Sequence, residues 1–135
     1  TRTIYKSDEA KYDSTVVYPY YLRSDEMRAR DMPGSIFEAK IDNTHPLCYG
    51  YRSKTMSIFK ANTLFMDQNN NPYDSPVLLT DNPLQSGYLF REHRDKVKGS
   101  AVANIENIGR GKVITYSDNM NFRAFWFGTS KLFLN

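Results

Sequence analysis

The 135-residue sequence contains one cysteine, two histidines and one tryptophan, and these scarcities exclude several classes of protein. A single thiol cannot form an internal disulfide framework or a multi-cysteine zinc site. Apolar runs are also short, and none approaches the roughly 20 residues of a membrane-spanning helix. No basic segment followed by an apolar one opens the sequence, so we expect no signal peptide in it.

The excess of basic over acidic residues is also small, and the net charge is only +3. Most basic residues alternate with acidic ones, as in residues 6–9 and 23–26, which is typical of a solvated surface. A nucleic-acid-binding domain concentrates its basic residues on one face. Only residues 91–98 approach that pattern, and Glu92 and Asp95 dilute it. We therefore expect no nucleic-acid partner.

The length fits one domain, although the apolar content is low. The apolar fraction of 40% includes ten tyrosines, and an aromatic fraction of 14% partly offsets the small aliphatic core. The sequence begins with Thr1, and its final apolar run has no glycine to end a helix. We therefore expect a single domain or domain fragment over residues 1–135, cut from a larger protein.

Apolar periodicity predicts a domain in which helices and strands share one core. Strands are predicted at residues 35–42, 56–61, 77–79, 87–90, 100–108 and 112–116. Helices are predicted at residues 24–30, with Ser24 as the N-cap, and at residues 128–135, with Thr129 as a possible N-cap.

His45 is the first candidate for chemistry, because it lies in a polar motif that begins at Asp42. A zinc site usually takes two ligands three or four residues apart on one element. This spacing is missing here, and the other histidine, His93, lies alone in a charged run. We therefore predict no metal ligands in this chain.

A structural role explains the same motif more simply. Asp42 and Asn43 satisfy backbone groups in a turn, Thr44 caps a short helical turn, and Pro46 occupies its first position. Cys48, three residues after His45, is an alternative nucleophile for a small hydrolase. It lacks the flanking glycines of a nucleophile elbow, so we favour a semi-buried structural thiol.

A second candidate region follows the last predicted strand. Asp118 and Arg123 flank a strand-to-helix junction, where α/β proteins often bind ligands, although a salt bridge or backbone hydrogen bonds made by Arg123 explain them equally well. The neighbouring aromatic residues could stack on a sugar or peptide, or else pack in the core or dock on another domain, which we favour. These residues are Phe122, Phe125, Trp126 and Phe127.

Two stretches of the sequence together resemble a known family. One is PGSIFEAKIDNTHPLCYGY at residues 33–51, and the other is GRGKVITYSDNMNFRAFW at residues 109–126, followed by KLFLN at residues 131–135. Both are similar to the C-terminal region of bacterial zinc carboxypeptidases of the carboxypeptidase A type. The similarity covers about residues 24–135 and is strongest in these stretches.

The resemblance implies a fold and a role. In that family, a catalytic peptidase domain precedes a domain that resembles class I glutamine amidotransferases, and this chain would be the strand-rich C-terminal part of that flavodoxin-like α/β domain. A compact α+β domain with a mixed sheet is the alternative. No H-x-x-E motif occurs here, so the zinc ligands would lie in the parent protein's catalytic domain, and Cys48 does not stand in the place of the amidotransferase nucleophile.

The expected function is therefore that of a non-catalytic accessory domain of a zinc metallocarboxypeptidase, which removes C-terminal residues from peptides. The implied partners are the catalytic domain of the same parent chain and, through it, a peptide substrate. The implied location is periplasmic or extracellular. The alternative is a free-standing peptide- or glycan-binding module that uses the aromatic residues between Phe122 and Phe127.

Overall fold

The computed structural model describes the backbone at residues 5–7, 19–124 and 126–135, and the side chains there except at 5–7, 23, 24, 26, 27 and 124. The strands are β1 (Tyr5–Ser7), β2 (Ser35–Ile41), β3 (Thr55–Lys60), β4 (Leu64–Met66), β5 (Val77–Gly87), β6 (Ala101–Ile108) and β7 (Gly111–Tyr116). The helices are α1 (Tyr20–Arg30), α2 (Arg94–Val97) and α3 (Phe127–Leu134). Short 3-10 turns lie at Pro46–Cys48, Pro72–Asp74, Arg91–His93 and Phe122–Ala124.

All described strands belong to one strongly curled antiparallel sheet of order β1-β4-β6-β5-β2-β3, with β7 paired to β6. The prediction of a mixed α and β domain is confirmed, and the compact α+β alternative describes it. A flavodoxin-like sheet is parallel. Every described strand pair is antiparallel, so neither that arrangement nor the mixed sheet of the alternative is seen among these strands.

Alternation along β2 builds one side of the core. Phe37, Ala39 and Ile41 are buried, whereas Lys40 between them is exposed, as a period of two requires. On the C-terminal helix α3, Leu132 is fully buried against this core. The prediction of strands at residues 35–42 and 100–108 is therefore confirmed to within a residue at each end. The alternation predicted along the second of them is not seen in its burial, because Val102 and Asn104 are buried as well as Ala101, Ala103 and Ile105.

The predicted break inside β5 is wrong, because a bulge absorbs the residues that suggested a turn. Leu79 pairs with Ala39, but Leu84 pairs with Phe37. An advance of five residues along β5 therefore lies opposite an advance of two residues along β2. The extra residues include buried Pro83, which donates no hydrogen bond to the sheet. The strand predicted at 77–79 therefore runs through to Gly87, and the one predicted at 87–90 does not form.

Two helix starts also differ from the prediction. Helix α1 begins at Tyr20, directly after Pro19, four residues before the predicted N-cap Ser24. Helix α3 begins at Phe127, with Trp126 as its N-cap. The Thr129 hydroxyl is buried and donates instead to the Met120 carbonyl at 2.6 Å. In both places, tertiary contacts and proline geometry outweigh the local capping preference.

Candidate functional site

A groove lies between the start of α3 and the edge strand β3. It encloses about 460 Å³ and is mostly apolar. Its lining residues are Tyr51, Met56, Ser57, Trp126, Phe127 and Gly128. The indole N–H of Trp126 donates to the Ser57 carbonyl at 3.2 Å, so the outer edge of β3 is covered at that residue. The groove therefore offers side chains rather than a free strand edge.

Side-chain hydrogen bonds fix α3 against the loop that follows β2 and against the end of β7. The Tyr51 hydroxyl donates to the Gly128 carbonyl at 2.5 Å, and the Tyr116 hydroxyl donates to the Leu132 carbonyl at 2.6 Å. Burial is the main cause that raises the pKa of Tyr51 to about 12, so its hydroxyl stays protonated at neutral pH. At the other end, the Asn135 amide donates to the Leu47 and Tyr49 carbonyls, both at 3.0 Å.

The outward side of α3 carries exposed apolar side chains beside the exposed Lys131. Phe127 is 77% exposed and Leu134 is 79% exposed, and their spacing of seven residues places them two turns apart on one side of the helix. Phe133, at 60% exposed, lies about 100° around the helix from Leu134, so it flanks that side. We call Phe127, Phe133 and Leu134 the α3 apolar face. It adjoins the groove at Phe127, which belongs to both.

The aromatic residues predicted as one cluster divide into two environments. Phe122 is half-buried and stacks on Phe59 of β3, with ring centroids 4.4 Å apart, so it packs in the protein. Trp126 and Phe127 line the groove. Phe125 lies outside the described residues. Tyr51 and Met56, which complete the groove, carry no local signal in the sequence because they join it only through the fold.

Asp118 pairs with Lys60 in a buried network. It does not form the salt bridge with Arg123 that was one of the alternatives left open by the sequence. The Lys60 ammonium donates to Asp118 Oδ2 at 2.7 Å, to the Leu64 carbonyl at 2.7 Å and to Asn62 Oδ1 at 2.9 Å. Three donors meet three acceptors, so the cation is fully satisfied. Asp118 Oδ1 in turn accepts from Asn62 Nδ2 at 2.6 Å, and Oδ2 accepts from the Ser117 hydroxyl at 3.0 Å.

Burial dominates the electrostatics of this pair. It lowers the pKa of Lys60 and raises the pKa of Asp118, and the attraction between the two charges opposes both shifts. The Lys60 ammonium and both carboxylate oxygens of Asp118 are hydrogen-bonded to neighbouring protein groups. This pair therefore presents no reactive group to a substrate. The network links the end of β3 to the segment that follows β7.

Arg123 is exposed and holds an unusual backbone conformation. Its φ of 51° lies in the left-handed region, the one such non-glycine residue in the described part of the chain. The guanidinium carbon lies 5.3 Å from the centroid of the Phe122 ring, within cation–π distance. The bend at Arg123 lets Phe122 pack inward while the charged group faces solvent.

The motif from Asp42 to Pro46 forms a local turn. Asp42 Oδ1 accepts from both the backbone N–H and the hydroxyl of Thr44, at 2.9 and 2.6 Å, and these bonds lower the pKa of Asp42. The cap of the following turn is His45, where the sequence predicts Thr44. His45 Nδ1 accepts from the Leu47 N–H at 3.1 Å, and Pro46 occupies the first position of the turn.

Cys48 is fully buried in the same turn. Burial is the main cause that raises the pKa of its thiol to about 11, far from that of an activated nucleophile. His45 uses Nδ1 to hold the Leu47 N–H, so this nitrogen is not available to activate the thiol. The pair predicted as the alternative hydrolase site therefore lacks the geometry of a nucleophile and its base.

Within the described ranges, no three side chains from His, Cys, Asp or Glu are grouped as a metal site would need. Over the same residues, no helix has the length and apolar content to cross a membrane. Neither a protein-family model, nor a curated protein, nor a solved structure matches this chain.

Proposed function

We propose that this chain is a non-catalytic accessory domain of a zinc metallocarboxypeptidase, and that it docks on the catalytic domain through the α3 apolar face and the adjoining groove. The single observation that supports docking is the exposure of three large apolar side chains, Phe127, Phe133 and Leu134, on one eight-residue helix. Exposed apolar patches of this kind are typical of interaction sites. The sequence resemblance supports the choice of partner.

The chemistry in this proposal belongs to the parent protein. Zinc in the catalytic domain polarises the scissile carbonyl and activates water, and peptides lose their C-terminal residues. This chain contributes packing and, through its surface, the position of the peptide entrance. We propose this role for an antiparallel α+β domain, without the amidotransferase-like fold. The proposed parent protein is periplasmic or extracellular, a location that the resemblance implies.

The experiment has two stages. The coding sequence next to that of Thr1 is first examined for a domain with the H-x-x-E…H zinc-peptidase motif. That domain is then produced with this chain, and their association is measured by co-purification and by analytical ultracentrifugation. We expect Phe127→Ser combined with Leu134→Ser to abolish association without loss of folding.

The matched control is Ile108→Ser, which removes another exposed apolar side chain, 61% accessible, at the tip of the β6–β7 hairpin. Association should survive this change. Equal loss in both variants, or undiminished association after the double change on α3, contradicts docking through this face.

A free-standing peptide- or glycan-binding module is the second candidate, favoured by the position of Trp126 and Tyr51 in the groove. Aromatic rings of this kind stack on sugars and on apolar side chains. Titration of the isolated chain with cellohexaose tests the glycan form of this candidate. Saturable binding that Trp126→Phe weakens would favour it over docking on a catalytic domain.

A further inference from the structure

The groove is bounded by two segments of the chain that carry no carboxylate. Residues 43–66 and residues 119–135 contain no aspartate or glutamate. The same segments carry four exposed cations, and their fifth lysine or arginine, Lys60, pairs with a buried acid among the described residues. These four are Arg52, Lys54, Arg123 and Lys131.

Two of these cations make aromatic contacts, and one of them, Lys131, lies beside the groove. The Lys131 ammonium lies 5.1 Å from the centroid of the Tyr51 ring, which lines the groove, and donates to the Gly50 carbonyl at 3.1 Å. The Arg123 guanidinium rests on Phe122, which stacks on Phe59, two residues beyond the groove residue Ser57. Both cations are therefore prearranged and still face solvent.

The acidic residue opposite the groove in the strand register is Glu38 of β2, which pairs with Ser57. Its side chain lies on the same face of the sheet as that of Ser57, one strand inside the outer edge of β3, where the Trp126 indole contacts the Ser57 carbonyl. The surface thus combines an apolar centre with a cation, Lys131, at the side formed by Tyr51, and with Glu38 at the side formed by β2. Such a surface is complementary to an apolar segment flanked by carboxylates.

We propose that the groove binds an acidic protein segment whose aromatic or aliphatic side chain enters between Tyr51 and Trp126 while its carboxylates meet Lys131 and Arg123. This rests on the proposed function for the use of this face as a docking surface, and it names the chemistry of the partner. Rim charges of this kind steer association and set specificity. Binding should therefore weaken as salt is added.

Trp126 provides a direct probe, because it is the single tryptophan of the sequence and lines the groove. The intact chain is titrated with a tryptophan-free octapeptide of alternating glutamate and phenylalanine, and the emission of Trp126 is followed. The comparison peptide has lysine in place of every glutamate. An octapeptide of alternating serine and phenylalanine measures apolar binding alone.

We expect saturable binding of the acidic peptide, at least about tenfold tighter than that of the lysine peptide, since like charges repel across an interface. Affinity should fall several-fold between 50 and 300 mM NaCl, as screening increases. Lys131→Glu and Arg123→Glu should each weaken the acidic peptide, whereas Lys131→Arg should not. Arg110→Glu, at the tip of the β6–β7 hairpin, is the matched control and should have no effect.

Equal affinity for the acidic and lysine peptides, no binding of the acidic peptide, or binding unaffected by Lys131→Glu with Arg123→Glu would overturn the proposal. Tighter binding of a ten-nucleotide oligothymidine would also overturn it, in favour of a nucleic acid. A thermal melt of each variant identifies any that fails to fold. The co-purification experiment with the α3 variants is independent, so the docking function can stand even if the acidic specificity fails.

Discussion

Lys60 and Asp118 are 58 residues apart in the sequence, yet the Lys60 ammonium lies 2.7 Å from the Asp118 carboxylate. The side chains are 3% and 4% exposed, so the ion pair is shielded from solvent. It joins the end of β3 to the segment after β7, two parts of the sheet that are not neighbouring strands. The pair is therefore a tertiary link between distant parts of the chain.

Removing one partner of this pair should strongly destabilise the fold. Lys60→Met leaves the Asp118 carboxylate buried without its cation, and we expect a loss of about 3–5 kcal/mol in the free energy of unfolding. Urea denaturation measures it. The double variant Lys60→Met with Asp118→Leu should lose less than the single variant, because no lone charge remains. A single variant within about 1 kcal/mol of the wild type would contradict a structural role for the pair.

His45 should make stability depend on pH. Burial is the main cause that lowers its pKa, Lys112 lowers it further, and Asp42 and Asp74 oppose the shift. A pKa below the unfolded value of about 6.5 means that the unfolded chain binds the proton more readily. Stability is therefore full above about pH 6.5 and falls as the pH drops toward the folded pKa.

The measurement compares the wild type with His45→Asn, whose amide can still accept from the Leu47 N–H as a cap. Urea unfolding of both proteins from pH 8 to pH 5 cancels the contribution of His93, which both contain. The difference in free energy should shift in favour of the variant as the pH falls. A difference that is constant across this range would show that His45 keeps its ordinary pKa.

Gly87 should be far less tolerant of alanine than Gly99. Both have positive φ, +99° and +65°, so both substitutions carry backbone strain of about 1–2 kcal/mol. At Gly87, the new Cβ would also lie 2.8 Å from the Ser35 backbone Cα, whereas nothing lies within 4 Å at Gly99. Denaturant unfolding should show a larger loss for Gly87→Ala. Equal losses would mean that β5 shifts away from Ser35 at little cost.

The Cys48 thiol should resist labelling in the native protein. Its pKa of about 11 keeps it protonated at pH 8, so the thiolate fraction is roughly two orders of magnitude below that of a free cysteine. Reaction with Ellman's reagent should be slow in buffer and immediate in 6 M guanidinium. Rapid native labelling, lost in Cys48→Ser together with any hydrolytic activity, would restore the hydrolase alternative.

Local patterns predicted the strands of this fold better than the site. Alternation located β2, whose inward residues are buried. It also located β6, although residues 101–105 of that strand are buried on both faces, and the strand predicted at 112–116 is β7, none of whose residues is buried. The three-residue strand β4 is too short to show a period, and it forms because β1 and β6 pair with it. Lys60 interrupts the apolar pattern of the strand predicted at 56–61, and the pattern alone does not identify its partner Asp118, although a buried lysine requires an acid or other acceptors.

The groove could not be predicted at all from neighbouring residues. Tyr51 and Trp126 are far apart in the sequence and meet only after the sheet curls and α3 packs on the 3-10 turn at Pro46–Cys48. The aromatic signal near Trp126 was visible, but the inward position of Phe122 was not, since it depends on the left-handed backbone at Arg123.

The hydrogen bonds beneath α3 have a consequence for recognition. Contacts from Tyr51 at its start, from Tyr116 in its last turn and from Asn135 at its end hold the helix, so its outward side chains lie on an element that is already ordered. A binding partner therefore contacts a preformed surface, and little of the interaction free energy is lost in ordering the backbone of α3. Tyr51→Phe should accordingly weaken association by loosening the helix, even though the aromatic ring in the groove is kept.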